Sequence, residues 1–162
     1  MSKSKRRHWL MKTEPETYSI DRLRQDGVSG WDGVRNHRAR NFMRDDMQKG
    51  DWVLFYHSST NPPGVAGVAR VHKESHPDPT QFDPKSSYYD EKATAEAPRW
   101  FMVALEFVEK LPQYVTLQAI KDDARLEGMW VRKRGMRLSI QPVEEAHFRR
   151  VLELGRAKTS PR

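Results

Sequence analysis

Apolar residues recur along the chain in short runs of the length typical of β-strands. Four such runs cover residues 9–13, 52–56, 65–71 and 100–111, and residues 137–141 alternate between apolar and polar side chains. Runs of this kind, bounded by glycine, proline or asparagine, predict strands. The longest run, residues 100–111, is expected to cross the core.

Helix signals lie between the predicted strands. Ser19, Asn36 and Thr116 each stand immediately before residues with helical apolar spacing, and each is a preferred N-cap. Residues 143–154 predict a terminal helix, with Gly155 at its C-terminal boundary. Strands that outnumber short helices predict an α+β fold, a small mixed or closed β-sheet flanked by helices.

Two stretches lack a periodic pattern. The segment Asn61-Pro62-Pro63-Gly64 is a strong breaker between two strands. Residues 72–98 show no lasting period and are interrupted by prolines. A long connection without regular structure in a small domain is usually functional or mobile.

Length and charge predict a single domain with basic ends. A chain of 162 residues is long enough for one core. The net charge of +7 comes from seven lysines and arginines in residues 1–7 and 156–162, which leaves 22 basic and 22 acidic residues between them. We therefore predict one domain over residues 8–155 between two basic disordered tails, and a body that recognises nucleic acid locally rather than along a groove.

Composition excludes several classes of site. The chain has no cysteine, which excludes disulfides and thiolate ligands and favours a reducing cytoplasm. Its apolar runs are too short to span a bilayer, and no secretory signal follows the basic N-terminus. The histidines lack metal-ligand spacing and no glycine loop fits a phosphate. We expect no metal, no cofactor and no membrane partner, and a monomer.

His57 and Ser58 are the residues that most resemble a catalytic pair. They follow a strand and precede the Gly/Pro loop. Adjacent residues on a strand point to opposite faces, so the two side chains cannot easily share a proton. Nucleophilic catalysis is therefore disfavoured.

The segment Trp31-Asp32-Gly33-Val34-Arg35-Asn36 carries the most distinctive chemistry. An indole, a carboxylate, a guanidinium and an amide lie around a glycine that permits a tight backbone. This mixture suits a flat heteroaromatic ligand, because the ring can stack on the indole while polar groups contact its edge. A half-buried tryptophan beside a turn, with Asp32 and Arg35 as a surface ion pair, is the alternative interpretation.

Motifs along almost the whole chain resemble the EVE domain family. They are listed in chain order: Lys12-Thr13-Glu14-Pro15, residues 31–36, Ala39-Arg40-Asn41, Gly50-Asp51, Phe55-Tyr56-His57-Ser58, Gly64-Val65-Ala66-Gly67, Pro98-Arg99-Trp100 and residues 137–143. The family belongs to the PUA-like superfamily and is related to YTH domains, which read methylated adenine in RNA. The resemblance implies a compact PUA-like β-barrel with surrounding helices.

The resemblance also implies a non-catalytic reader of modified bases in DNA or RNA. By position in the family pattern, Trp31 would form one wall of the base pocket, and Tyr88 or Tyr89 another. The remaining positions that the pattern places near the base or the nucleic acid are Lys12, Thr13, Glu14, Tyr56, His57, Ser58, Ser139 and Gln141. YTH cages use more tryptophan than this chain offers, so the resemblance leaves the modified base unidentified.

We therefore predict that the chain binds a modified nucleobase in an aromatic pocket. Asp32, Asn36 and Ser58 would contact the base edge, and Arg35 and Arg137 would hold phosphate or orient the pocket. Two alternatives remain open. One is a small hydrolase or transferase that acts on a nucleotide-like substrate with His57 as general base, and the other is an interaction module held to nucleic acid by its basic tails.

Overall fold

A computed structural model describes residues 6–161 of the chain. Most of the predicted N-terminal tail, residues 1–5, and the last arginine of the C-terminal tail lie outside the described residues. Beside a π-helical turn at Phe42–Asp46 and 3₁₀ turns at Pro79–Phe82, Ala124–Leu126 and Trp130–Arg132, six strands and four α-helices form most of the regular structure of the described part. In chain order they are β1 His8–Thr13, α1 Ile20–Asp26, β2 Val28–Gly30, α2 His37–Asn41, β3 Trp52–His57, β4 Gly64–Pro77, β5 Phe101–Thr116, α3 Leu117–Asp122, β6 Ile140–Val143 and α4 Glu145–Leu154.

The six strands form one mixed sheet in the order β2-β5-β4-β3-β1-β6. β1 pairs with β3 in parallel, and the other neighbours are antiparallel. The expected α+β fold is confirmed, but the sheet is open rather than a closed barrel. Within the described residues β2 and β6 are the two edges of the sheet and do not pair with each other.

The core lies on both faces of this sheet, as side-chain alternation along the central strands requires. On β1, Trp9 and Met11 face a cluster that holds α1 and α2, whereas Leu10 faces a second cluster. α3 and α4 contribute Ile120 and Phe148 to that second cluster. Burial on both faces explains why β3 is apolar throughout instead of alternating.

The predicted helix caps are confirmed. The side chains of Ser19, Asn36 and Thr116 accept hydrogen bonds from backbone amides at the starts of α1, α2 and α3. Gly67 explains how α1 packs so close to the sheet, since a Cβ at this position would collide with Ile20 and with the carbonyl of Glu109. A small residue at this position of β4 is therefore required for the close approach of α1.

Several strands differ from the predicted boundaries. β4 continues six residues past Val71 to Pro77, and β2 was not predicted at all. β6 begins at Ile140, so Arg137 and Ser139 lie in the loop before it rather than in a strand.

The C-terminal residues contact the body of the domain. The amides of Lys158 and Thr159 donate to the Glu109 carboxylate on β5, and Arg149 donates to the carbonyl of Pro161. The division into one domain and two tails stays a prediction. No helix within residues 6–161 combines the length and apolarity needed to cross a bilayer.

Candidate functional site

A cavity of about 530 Å³ opens where the ends of β1 and β2 meet the segment that follows β2. Its size falls within the range of roughly 300–1,000 Å³ that is usual for small-molecule sites. The lining residues are Lys12, Thr13, Thr17, Tyr18, Ser29, Gly30, Trp31, Asp32, Gly33, Val34, Arg35, Asn36, Tyr88 and Ser139. All six residues of the 31–36 segment therefore line one opening.

Trp31 forms the floor of the cavity. It is 8% exposed, and its amide donates to the carbonyl of Val103 beyond the end of β2. Its ring meets Phe55 edge-on with centroids 5.6 Å apart, and it meets Tyr18 at 89° with centroids 6.4 Å apart. Edge contacts of this kind fix the plane of the indole. Trp31 is thus mostly part of the core but is not sealed from the cavity.

Tyr88 forms a more exposed wall and rests directly on Gly33. Gly33 has a φ of 79°, and a Cβ there would lie 2.6 Å from the Tyr88 ring. Glycine is therefore needed twice, for the backbone conformation and for the ring above it. Tyr88 is 39% exposed, so one part of its ring remains free to meet a ligand.

Arg35 joins the 31–36 segment to the loop of residues 78–100, which carries Tyr88. Its guanidinium donates to the Tyr88 carbonyl through Nε and Nη2 at 3.1 and 2.8 Å. It also donates to the Asp78 carboxylate at 3.1 Å, to the Thr80 hydroxyl at 3.0 Å and to the Val34 carbonyl at 2.9 Å. Together these hydrogen bonds hold the 31–36 segment against the 78–100 loop, and the role of Arg35 toward a ligand stays a prediction.

The electrostatics of the site centre on two carboxylates. Burial alone would raise the pKa of Asp78, but hydrogen bonds from Thr80, Gly33 and Arg35 together hold it below its ordinary value. Burial, followed by the negative charge of Asp78, raises the pKa of Asp32. Asp78 is thus an anchored anion beneath the site, whereas Asp32 is the carboxylate that faces the cavity.

A buried glutamine holds the 78–100 loop in place. The Gln81 amide nitrogen donates to the carbonyls of Asp78 and Trp100 at 2.8 and 2.7 Å. Its amide oxygen accepts from the backbone amides of Arg99 and Trp100 at 3.0 and 2.9 Å. The Trp100 ring in turn lies 5.3 Å from the Arg35 guanidinium. The long loop that the sequence left without structure is therefore firmly attached beside the cavity.

Polar groups at the rim can contact the edge of a flat ligand. The Asn36 side-chain oxygen caps α2 through Ala39, which leaves its NH₂ group without a hydrogen bond among the described residues. Lys12 donates from Nζ to the carbonyl of Met136 at 3.1 Å, and burial lowers its pKa. One rim thus offers an acceptor in Asp32 and donors in Asn36 and Lys12.

The structure does not bring every predicted site residue to this cavity. Tyr56 faces the opposite side of the sheet, in the cluster with Leu10 and Leu54. Gln141 is buried and donates to the carbonyl of Leu138, and Tyr89 points away, although it is 44% exposed. The other predicted residues outside the lining are Glu14, His57, Ser58 and Arg137.

His57 lacks the free nitrogen that a general base needs. Its Nε2 accepts a hydrogen bond of 3.1 Å from the Ile20 amide at the start of α1, so the neutral ring carries its proton on Nδ1. Burial lowers the pKa of His57, which favours this neutral form. His57 therefore acts as a cap for α1, and the predicted hydrolase or transferase gains no support from its geometry.

The His57 cap predicts a pH dependence of stability. Because its pKa lies below the value of about 6.5 for an unfolded histidine, the unfolded chain binds more protons and stability rises with pH. Stabilisation is complete above about pH 6.5 and decreases as the pH falls through the folded pKa. Urea unfolding between pH 5 and 7.5 should show a flatter dependence for His57→Gln, whose amide oxygen can still accept from Ile20.

The exposed His72 provides the control for this measurement. His72→Gln should retain the wild-type pH dependence, because this half-exposed side chain caps no helix within residues 6–161 and its 3.8 Å contact with Glu106 is screened by solvent. Parallel wild-type and His57→Gln curves would contradict the capping role.

Sequence reasoning missed several cavity residues, of which Tyr18 is the most informative. Its hydroxyl donates to Asp26 at 2.7 Å, and its ring stands against Trp31. Tyr18 is an aromatic residue in a loop, which is the same signal that singled out Tyr88. Thr17 and Ser29 carry no comparable signal.

Within residues 6–161 no group of three histidine or acidic side chains is placed to hold a metal ion.

Comparisons with known proteins agree on one family. The profile of the EVE domain matches residues 7–154. Thymocyte nuclear protein 1 of Gallus gallus is 38% identical over an alignment of 170 positions, and the alignment covers 93% of this chain and 69% of that protein. The crystal structure of a protein from Pseudomonas syringae is 42% identical, with a TM-score of 0.87 over 91% of this chain and 99% of that one.

One solved relative contains nucleic acid. The crystal structure of human THYN1 protein in complex with 5-methylcytosine-containing DNA is 36% identical to this chain. It superimposes with a TM-score of 0.85 over 96% of this chain and 99% of that one.

Proposed function

The chain belongs to the EVE domain family, and from that premise we propose that it is a non-catalytic protein that binds a modified nucleobase in nucleic acid. The observation that carries the proposal is the cavity bounded by Trp31, Tyr18 and Tyr88. The human relative in complex with 5-methylcytosine-containing DNA supports DNA as the first target. The family membership that the motifs predicted thus guides the choice of the first ligand to test.

The aromatic residues supply the stacking that an extruded base requires. A base leaves its helical stack at a cost of a few kcal/mol, which the pocket must recover. Stacking on an aromatic side chain contributes roughly 1–3 kcal/mol per base. Tyr88 is the exposed platform, and the Trp31 floor limits how deep a ring can enter.

The polar rim would read the edge of the base. The Asp32 carboxylate can accept from an exocyclic amine such as that of cytosine, which is a donor. The Asn36 amide can donate to an adjacent ring nitrogen. A methyl group against the apolar side chain of Val34 would add roughly 0.8 kcal/mol. Polar contacts and the methyl contact together favour a methylated, amine-bearing base.

Neighbouring tyrosines provide a matched test. Tyr88→Ala removes the exposed platform but keeps the backbone carbonyl that Arg35 holds, whereas Tyr89→Ala removes an equally exposed ring outside the cavity. We expect Tyr88→Ala to weaken binding of a 5-methylcytosine duplex by roughly 5- to 150-fold, which corresponds to one lost stacking contact. Fluorescence anisotropy with methylated and unmodified DNA, and with methylated RNA, measures the effect.

The variant pair separates a base pocket from general attraction to nucleic acid. Tyr89→Ala should bind as the wild type does. Equal binding by Tyr88→Ala and Tyr89→Ala, or equal binding of methylated and unmodified duplexes by the wild type, would refute the proposal. Trp31 is a poorer first target, because truncating a buried tryptophan costs about 3–5 kcal/mol of stability and confounds the binding measurement.

A further inference from the structure

Positive charge is concentrated on one side of the cavity even though the body of the chain is neutral. Arg38 in α2 and Lys133, Arg134 and Arg137 in the loop before β6 are all exposed, and we call these four residues the cationic strip. No acidic residue occurs between positions 128 and 143. The strip is therefore a local excess of positive charge that the overall charge balance conceals.

Two cations of the strip converge on the same aromatic ring. The Arg38 guanidinium lies 5.0 Å from the centre of the Trp130 ring, and Lys133 Nζ lies 5.4 Å from it. Neither side chain makes an ion pair within the described part of the chain. Like charges that share one ring repel each other, and a bound anion would relieve this repulsion.

The strip is continuous with the rim of the cavity. Lys12, which lines the cavity, donates to the carbonyl of Met136 inside the same loop. Ser139 ends this loop and also lines the cavity. On the other flank, Asn36 lines the cavity and caps the helix that carries Arg38. A polymer that places one base in the cavity would thus run directly onto the strip.

The other two rims of the cavity have the opposite charge. Residues 14–26, which carry Tyr18, contain four acidic and two basic residues. Residues 83–97, which carry Tyr88, also contain four acidic and two basic residues. Lys110 and Arg99 neutralise part of this negative charge through their pairs with Asp21 and Asp90. Neither side has the excess of cations found on the strip, however, so the charges favour one direction of approach.

We propose that the cationic strip binds the phosphates that flank a base held in the cavity. This inference rests on the proposed function, and it adds which face of the domain the nucleic acid crosses. The strip positions the strand but does not read sequence, because phosphate contacts carry no base information. Of the two roles predicted for Arg137, to hold phosphate or to orient the pocket, this proposal assigns the first.

Salt dependence of binding distinguishes the strip from the pocket. The test variant is Lys133→Gln/Arg137→Gln, and the control is Arg24→Gln/Lys92→Gln, which removes two exposed cations from the acidic rims. Binding of methylated and unmodified duplexes is measured from 0.05 to 0.3 M salt. Because each lost phosphate contact lowers the slope of log K against log salt by roughly 0.9, we expect the test variant to lower it by about two.

The expected result is a loss of roughly tenfold or more at 0.1 M salt, equal for both duplexes, with an unchanged ratio between them. If the test variant had the same slope and affinity as the control variant, the proposed phosphate binding by the strip would be wrong, and the proposed base preference would be unaffected. If the wild type showed no base preference but the strip variant still changed the slope, the base pocket would be refuted and phosphate binding by the strip would stand. Absence of any binding by the wild type would overturn both.

Discussion

Replacing Arg35 with alanine is expected to lower the free energy of unfolding by about 3 kcal/mol and to release the Tyr88 wall from the cavity. The reason is Asp78, whose carboxylate is fully buried and loses its cation. The effect falls at the low end for breaking a buried pair, because the Arg35 side chain is 21% exposed. Urea unfolding measures the stability loss, and binding of a methylated duplex measures the loss of the wall.

The control for Arg35→Ala is Arg24→Ala, which truncates an exposed arginine on α1. Its effect should stay within about 0.5 kcal/mol, as for most surface substitutions. Arg35→Lys should recover only part of the stability, since an ammonium group cannot reach Asp78 and the Tyr88 carbonyl with a planar fork. Equal stability of Arg35→Ala and Arg24→Ala would show that the contacts of Arg35 with the 78–100 loop do not stabilise the fold.

Local signals predicted the elements whose determinants are close in sequence. The caps at Ser19, Asn36 and Thr116 depend on residues three positions away, so the sequence shows both partners of each hydrogen bond. The central strands also follow from their own apolar runs. In contrast, β2 has only three residues, and its pairing with β5 depends on residues far along the chain. Closure of the sheet is equally non-local, so the strand pattern left a mixed or a closed sheet open, and the barrel that the family resemblance implied is an open sheet in the structure.

The sequence predicted the part of the candidate site in which the chemically distinctive residues are also neighbours along the chain. The 31–36 segment lines the cavity because it is one continuous piece of chain that follows a strand end. The roles of individual residues in this segment were harder to predict. The contacts of Arg35 are with Asp78 and Tyr88, which lie more than forty residues away in the sequence. His57 illustrates the same limit, since its partner is the backbone amide of Ile20, which no sequence motif reveals.

Gln81→Ala is expected to cost about 3–5 kcal/mol, because it leaves the Arg99 and Trp100 amides without their partner and removes one of the two donors to the Asp78 and Trp100 carbonyls. Two carbonyls and two amides of residues 78–100 currently converge on one side-chain amide. Without it, the hydrogen bond from the Asp78 amide to the Trp100 carbonyl still joins the ends of the loop, but the Trp100 and Arg35 contacts beneath Tyr88 lose part of their support. Urea unfolding and hydrogen exchange of the loop amides measure the two consequences.

Gln118→Ala gives the matched control, since this exposed glutamine donates only to the neighbouring carboxylate of Asp122. It should leave stability and loop exchange unchanged. Gln81→Glu sharpens the test, because it keeps the shape but turns the donor into an acceptor that faces two carbonyls, so it should be at least as damaging as alanine. If Gln81→Glu retained wild-type stability and Tyr88-dependent DNA binding, the loop would be held by other contacts, and the cavity wall would not depend on this buried amide.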